Sequence, residues 1–243
     1  MNLQKNYMQQ LSRSKAVWYH LYPGIIITVL FAFVAPQFLK LQYPPQFSLL
    51  AIILVFGIPV FCLHLFSVKR NENSNTIFKI NRFNKKIPGR KLFLYCTGLF
   101  TFAFLIWGLT EPLNKVLSDK LLSWLPSWYS VQDFNGYSKP VVFQTLIFNL
   151  LLNGAIAPLM EELYFRGYLL PRMESWGRWA PVVNTILFSL YHLWQPQIWA
   201  TLLISLFPMC YLVWKTQDLR IGIYTHCLLN IVGALLSFGL LLK

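Results

Sequence analysis

The chain has 243 residues, of which 56% are hydrophobic and 12% charged, with 21 Lys and Arg against 8 Asp and Glu for a formal net charge of +13. Soluble domains carry about a quarter charged residues, so this composition excludes a water-soluble globule. So basic a soluble domain would point to nucleic acid, but here the bases occupy short segments between apolar runs, where membrane topology and anionic headgroups place them; no nucleic-acid partner is expected. The cysteines Cys62, Cys96, Cys210 and Cys227 all fall in apolar runs without a CxxC pair and read as reduced packing residues. The first apolar run has no small-residue cleavage site and is followed by further spans, so it reads as a retained helix and not a removed signal.

A helix needs about 20 mostly apolar residues to cross the hydrocarbon core. Seven stretches qualify in chain order: Val17 to Phe38, Gln46 to Val68, Leu92 to Thr110, Val141 to Met160, Trp179 to Trp194, Ile198 to Trp214 and Ile221 to Leu242. The expected fold is an all-α polytopic bundle, with 1–140 as an N-terminal membrane region and 141–243 as the part that carries chemistry. Only Gln195, Pro196 and Gln197 divide the fifth and sixth spans, which predicts a tight hairpin. Between the third and fourth, Leu113, Val116, Leu117, Leu121, Leu122, Trp124, Leu125 and Trp128 recur at helical spacing, predicting a helix lying in the interface. With the alternating loops assigned, 16 Lys and Arg fall on the side of the N-terminus and 5 on the other. That asymmetry predicts an odd number of spans with the N-terminus cytoplasmic.

Ionisable residues inside apolar spans each cost roughly 2.5 to 3.5 kcal/mol at a helix centre, so each needs a reason. The fourth span runs into Glu161-Glu162-Leu163-Tyr164-Phe165-Arg166. If the helix continues to about Pro171, Glu161 lies about 15 Å from its end. Glu162 and Arg166 are one turn apart with the acid first, the favourable order for a pair on one face. Glu161, about 100° away, keeps a free lone pair for a proton, a water or a metal; alternatively, all three form a wet rim where the span ends. The fifth span sets Asn184, Phe188 and His192 on one stripe, and the seventh sets His226 one turn before Asn230. A lone membrane histidine is more often a hydrogen-bond partner between helices than a catalyst. His20 and His64 fit no such pattern and read as packing residues, while Trp176, Trp179, Trp194, Trp199 and Trp214, at span ends, read as an aromatic belt.

The ordered patterns Glu-Glu-x-x-x-Arg, Phe-x-x-x-His and His-x-x-x-Asn on three separate spans change that weighting. Across roughly 141–242 the sequence resembles the CPBP intramembrane proteases, which include the CAAX prenyl-protein endoproteases. The resemblance implies an endopeptidase acting on a membrane-associated peptide or protein within the bilayer. In it Glu161 is general base to a water also held by His192, His226 and Asn230 stabilise the oxyanion, Glu162 and Arg166 brace the site, and Phe188 packs beside it, against the substrate. It leaves a zinc alternative open, with Glu161, His192 and His226 as ligands. Counted from the cytoplasmic ends of their helices, His192 lies about 20 Å along and His226 about 8 Å, so tilt or a different helix start must bring them level. A non-proteolytic relative serving as a scaffold or bacteriocin-immunity protein, and a proton-coupled transporter, are the competing readings. Short loops favour a bacterial inner membrane.

Overall fold

The computed structural model describes residues 8–72 and 80–242. Lys5, Lys79 and Lys243, counted above for orientation, lie outside the described residues. The fold is all helical: α1 (Arg13–Lys40), α2 (Pro45–Asn71), α3 (Gly89–Leu121), α4 (Lys139–Arg172), α5 (Ala180–Tyr191), α6 (Pro196–Thr216) and α7 (Arg220–Leu242). Local chemistry sets the ends. The Ser12 hydroxyl accepts from the Lys15 N–H at the start of α1, Pro45 opens α2 where a missing N–H costs nothing, and Gln217 stops α6 in a left-handed turn (φ 56°).

Apolar side chains face outward as well as inward, as a lipid solvent requires: Phe33, Leu63, Phe93 and Leu109 are each more than two-thirds exposed. The polar residues go inside. His20, Glu161, Glu162, Arg166, Asn184 and His226 are all buried, among core residues drawn from every helix.

Six of the seven helices are long and apolar enough to cross a bilayer. The fifth has 12 residues, a rise of about 18 Å against a core of about 30 Å. It nevertheless joins the two ends of the bundle. Near its start, the Pro181 carbonyl receives Cys210 Sγ from the lower half of α6; past its other end, the Leu193 carbonyl accepts the Tyr129 hydroxyl at 2.6 Å from the α3–α4 connection.

That connection differs from the expected interfacial helix. Leu113, Val116, Leu117 and Leu121 continue α3, while Leu122 onward is a loop with a single turn at Ser127–Tyr129. The loop folds into the bundle as a plug: Trp128 meets Phe31 of α1 edge-on at 5.3 Å, and Val131 is 3% exposed. Its apolar residues recur at helical spacing because some belong to a longer α3 and others anchor the plug.

At the opposite end, residues 80–88 form a strap. Its backbone joins α4 through Arg82 N–H to Gly167 O, and the α6–α7 turn through Lys85 N–H to Gln217 O and Leu219 N–H to Phe83 O. Ile87 N–H donates to the Asp218 carboxylate at 2.9 Å, and Arg172 donates to Ile80 O and both oxygens of Glu72. Most of the described bases that weigh the positive-inside count gather at this end.

Candidate active site

Helix α4 carries two wide, π-helical stretches, Leu152–Ile156 and Glu162–Leu169, flanking Ala157–Glu161. Such widened turns rotate side chains off the regular face and are common at functional sites. The first has a visible chemical cause. Pro158 offers no N–H, so the carbonyl five residues back lacks an intrahelical donor, and Asn153 O takes the Asn230 side-chain N–H at 2.9 Å instead. Asn230 therefore ties α7 to α4, with its second amide N–H left over.

His226 stands between both carboxylates. Its Nδ1 is 2.9 Å from Glu162 Oε1 and its Nε2 is 3.8 Å from Glu161 Oε2. Glu162 also lies 3.0 Å from Arg166 Nη1, as the one-turn spacing predicted, with both side chains fully buried. The guanidinium stacks on the Phe188 ring at 3.9 Å. Phe188 thus packs against the arginine, and its ring is also an edge-on neighbour of His192 (4.9 Å) and His226 (6.0 Å). The two histidines thus share one neighbouring ring despite their different counts from the helix ends.

Glu161 is contacted differently. It keeps 8% exposure, and its Oε1 accepts the Tyr191 hydroxyl at 3.4 Å, a long bond. Among the described residues, Glu162 Oε2, the three guanidinium nitrogens of Arg166 and Thr225 Oγ1 have no hydrogen-bond partner. Buried polar atoms in that condition mark places where water is expected.

His192 follows the last residue of α5, and its Nδ1 lies 2.9 Å from Phe188 O. A carbonyl only accepts, so Nδ1 carries the proton and Nε2 of the neutral ring presents a lone pair. The loop bearing it is held by Trp199 Nε1–H donating to His192 O at 3.0 Å, and by Trp194, buried against Tyr191 and His192. These two tryptophans, placed by the sequence in an aromatic belt, brace the site. No carboxylate of the described residues lies within ion-pair reach of His192.

The structure thus brings together Glu161, Glu162, Arg166, Phe188 and His226, with His192 and Asn230 a step further out. Glu161, His192 and His226 do not converge as metal ligands: no three His, Cys, Asp or Glu of the described residues are close enough to hold an ion. As placed they do not fit a zinc site. Two residues escaped the sequence reading. Tyr191 adjoins His192 in the second motif, and Gly222 sits one turn before His226, where an added Cβ would strike Glu162 Oε2. A glycine on the histidine's own stripe was the available signal. His20 and His64 serve packing: His20 Nδ1–H donates to Ala16 O and its Nε2 accepts from Asn184, while His64 is surrounded by the hydroxyls of Tyr22, Tyr164 and Tyr168.

Membrane-length helices enclosing an acid pair, an arginine and histidines define an intramembrane protein with a polar centre suited to proton transfer. Residues 143–232, which hold all three motifs, match the family described as type II CAAX prenyl endopeptidase Rce1-like. Over these residues the chain is similar to that family. No curated protein and no solved structure gives a significant match to the chain.

Proposed function

We propose that this chain is an intramembrane endopeptidase that hydrolyses a peptide bond of a membrane-associated substrate, using a water activated by Glu161. The observation that carries the reading is His226 set between two buried carboxylates, one braced by Arg166 and the other not. The braced Glu162 holds the ring by Nδ1–H. The other, Glu161, has no strong partner to displace before it can take a proton.

In the reaction, Glu161 removes a proton from the water while His192 Nε2, acceptor-only in its neutral form, orients that water by its other hydrogen. The water oxygen bonds to the scissile carbonyl carbon. Protonated His226, donating to Glu162 from Nδ1, donates from Nε2 to the oxyanion, with the spare N–H of Asn230 beside it. Collapse breaks the C–N bond as Glu161 returns its proton to the leaving nitrogen. His192 and Asn230 must close in when substrate enters, as catalytic contacts commonly do. We place the strap end in the cytoplasm, because the bases gather there.

The matched family's description names a CAAX prenyl endopeptidase, so a prenylated CAAX peptide is the first substrate to test, beside its unprenylated form. Purified protein in liposomes should cleave it, and Glu161→Gln and His226→Ala should slow cleavage about 10²–10⁴-fold with melting behaviour retained. Cleavage that survives both substitutions would overturn the reading in favour of a non-proteolytic scaffold. A chelator arm, with zinc added back, reports separately on metal.

A further inference from the structure

Away from the catalytic residues, between the strap, the α4–α5 connection and the end of α6, lies a cavity of about 750 Å³. Its partly exposed apolar lining is Met8, Pro171 and Trp214, over a buried floor that includes Leu170 and Met173. Its charged lining is Arg82 and Lys215, against the single acid Glu174.

Among the described residues, Arg82 reaches a carboxylate only at the outer limit of ion-pair contact. The nearest carboxylate, Glu72, is engaged through both oxygens at 2.9 Å by Arg172 and lies 3.9 Å from Arg82, whose Nε has no hydrogen-bond partner. Lys215 is exposed in the last turn of α6, its ammonium 5.7 Å from the centre of the Tyr211 ring. The cavity also sits at a definite depth. Trp214 lines it, and Trp176 and the exposed Trp179 belong to the connection that walls it, tryptophans being the residues that settle at headgroup level. A hollow of this volume with a mixed lining, two cations at its rim and an aromatic collar matches a molecule with a hydrocarbon tail and a negative head.

We propose that this cavity binds one anionic phospholipid, its phosphate on Arg82 and Lys215 and the upper part of an acyl chain against Met8, Pro171 and Trp214. The lipid bridges the strap to the start of α5, and so steadies the helix that carries Phe188 and His192. The occupant is a lipid and not free phosphate because the apolar wall contributes nothing to phosphate alone.

The test is native mass spectrometry of the full chain released from mixed micelles containing phosphatidylglycerol or phosphatidylcholine. Wild type should retain one phosphatidylglycerol in preference to phosphatidylcholine. Near a membrane surface each cation is worth about fivefold, so Arg82→Ala/Lys215→Ala should lower retention at least tenfold. Lys85→Ala/Lys86→Ala, which removes two exposed bases outside the cavity, should leave it unchanged. Met8→Trp, which fills the hollow and keeps both cations, should also lose the lipid, while inorganic phosphate should not compete. Equal retention of the two lipids, loss in the Lys85/Lys86 variant, or full retention in the Arg82/Lys215 variant would overturn the proposal. Because lipid retention is read without turnover, its failure is separate from failure of the protease reading.

Discussion

His226 meets a carboxylate at each ring nitrogen, and the two are not equivalent. Glu162 is wedged between Arg166 and His226, with its Oε2 against the bare backbone of Gly222. That contact makes Gly222 part of the machinery although it carries no chemistry. Gly222→Ala would push the carboxylate off Nδ1 or displace α7, and misplacements near 1 Å cost about 10²-fold in rate. Steady-state kinetics on the cleaved peptide should therefore show kcat falling about 10–100-fold with KM little changed; an unaltered kcat would mean that Glu162 does not orient the histidine. The Glu162–Arg166 pair was readable from its one-turn spacing. The site of Glu161 was not, because its neighbour Tyr191 comes from another helix and no periodicity within α4 points to it.

At the scale of elements, α4 is shaped by where its backbone bonds go. The Asn153 carbonyl, stranded by Pro158, takes its bond from α7, so Asn230→Ala leaves a half-buried acceptor without that partner. The expected cost is about 1–3 kcal/mol, seen as a lower melting temperature in detergent. Asn230→Asp, which cannot donate when ionised, should do no better. The strap makes a second such junction. Burial alone would raise the Asp218 carboxyl, but hydrogen bonds from the Arg220 side chain and from the N–H groups of Ile87 and Arg220 outweigh it and hold it below the ordinary value of 3.8. A carboxyl more acidic in the folded than in the unfolded chain stabilises fully above the unfolded value, and that stabilisation is lost as pH falls through the lowered one. The melting difference between wild type and Asp218→Asn should accordingly be large at pH 7 and shrink in acid below pH 4. A difference independent of pH would remove the strap's dependence on that charge. Neither junction is apparent from sequence, since each joins segments far apart along the chain through backbone groups that every residue possesses.

For the whole molecule, the number of crossings decides on which sides the flanks of α1 and α7 lie. Hydropathy and length admit six helices, an even count. Yet α5 runs from the strap end to the plug, making seven, so reporters placed before Arg13 and after Leu242 should report opposite sides of the membrane. Fusions with a cytoplasmically active fluorescent protein and an externally active phosphatase would show it, and same-side signals would make α5 a re-entrant segment. The bundle, its long helices and the three motifs were legible because apolar runs and rare buried charges stand out against a lipid background. The plug was misread because a loop anchored by apolar residues has the same composition as an amphipathic helix. The shortness of α5 carries a consequence for biosynthesis. A 12-residue helix is a poor substrate for the insertion machinery by itself, and its neighbour follows after four residues. The chain segment bearing Phe188 and His192 must then enter the bilayer together with α6, as one hairpin, so the second motif reaches its place only after the ribosome has released the sixth helix.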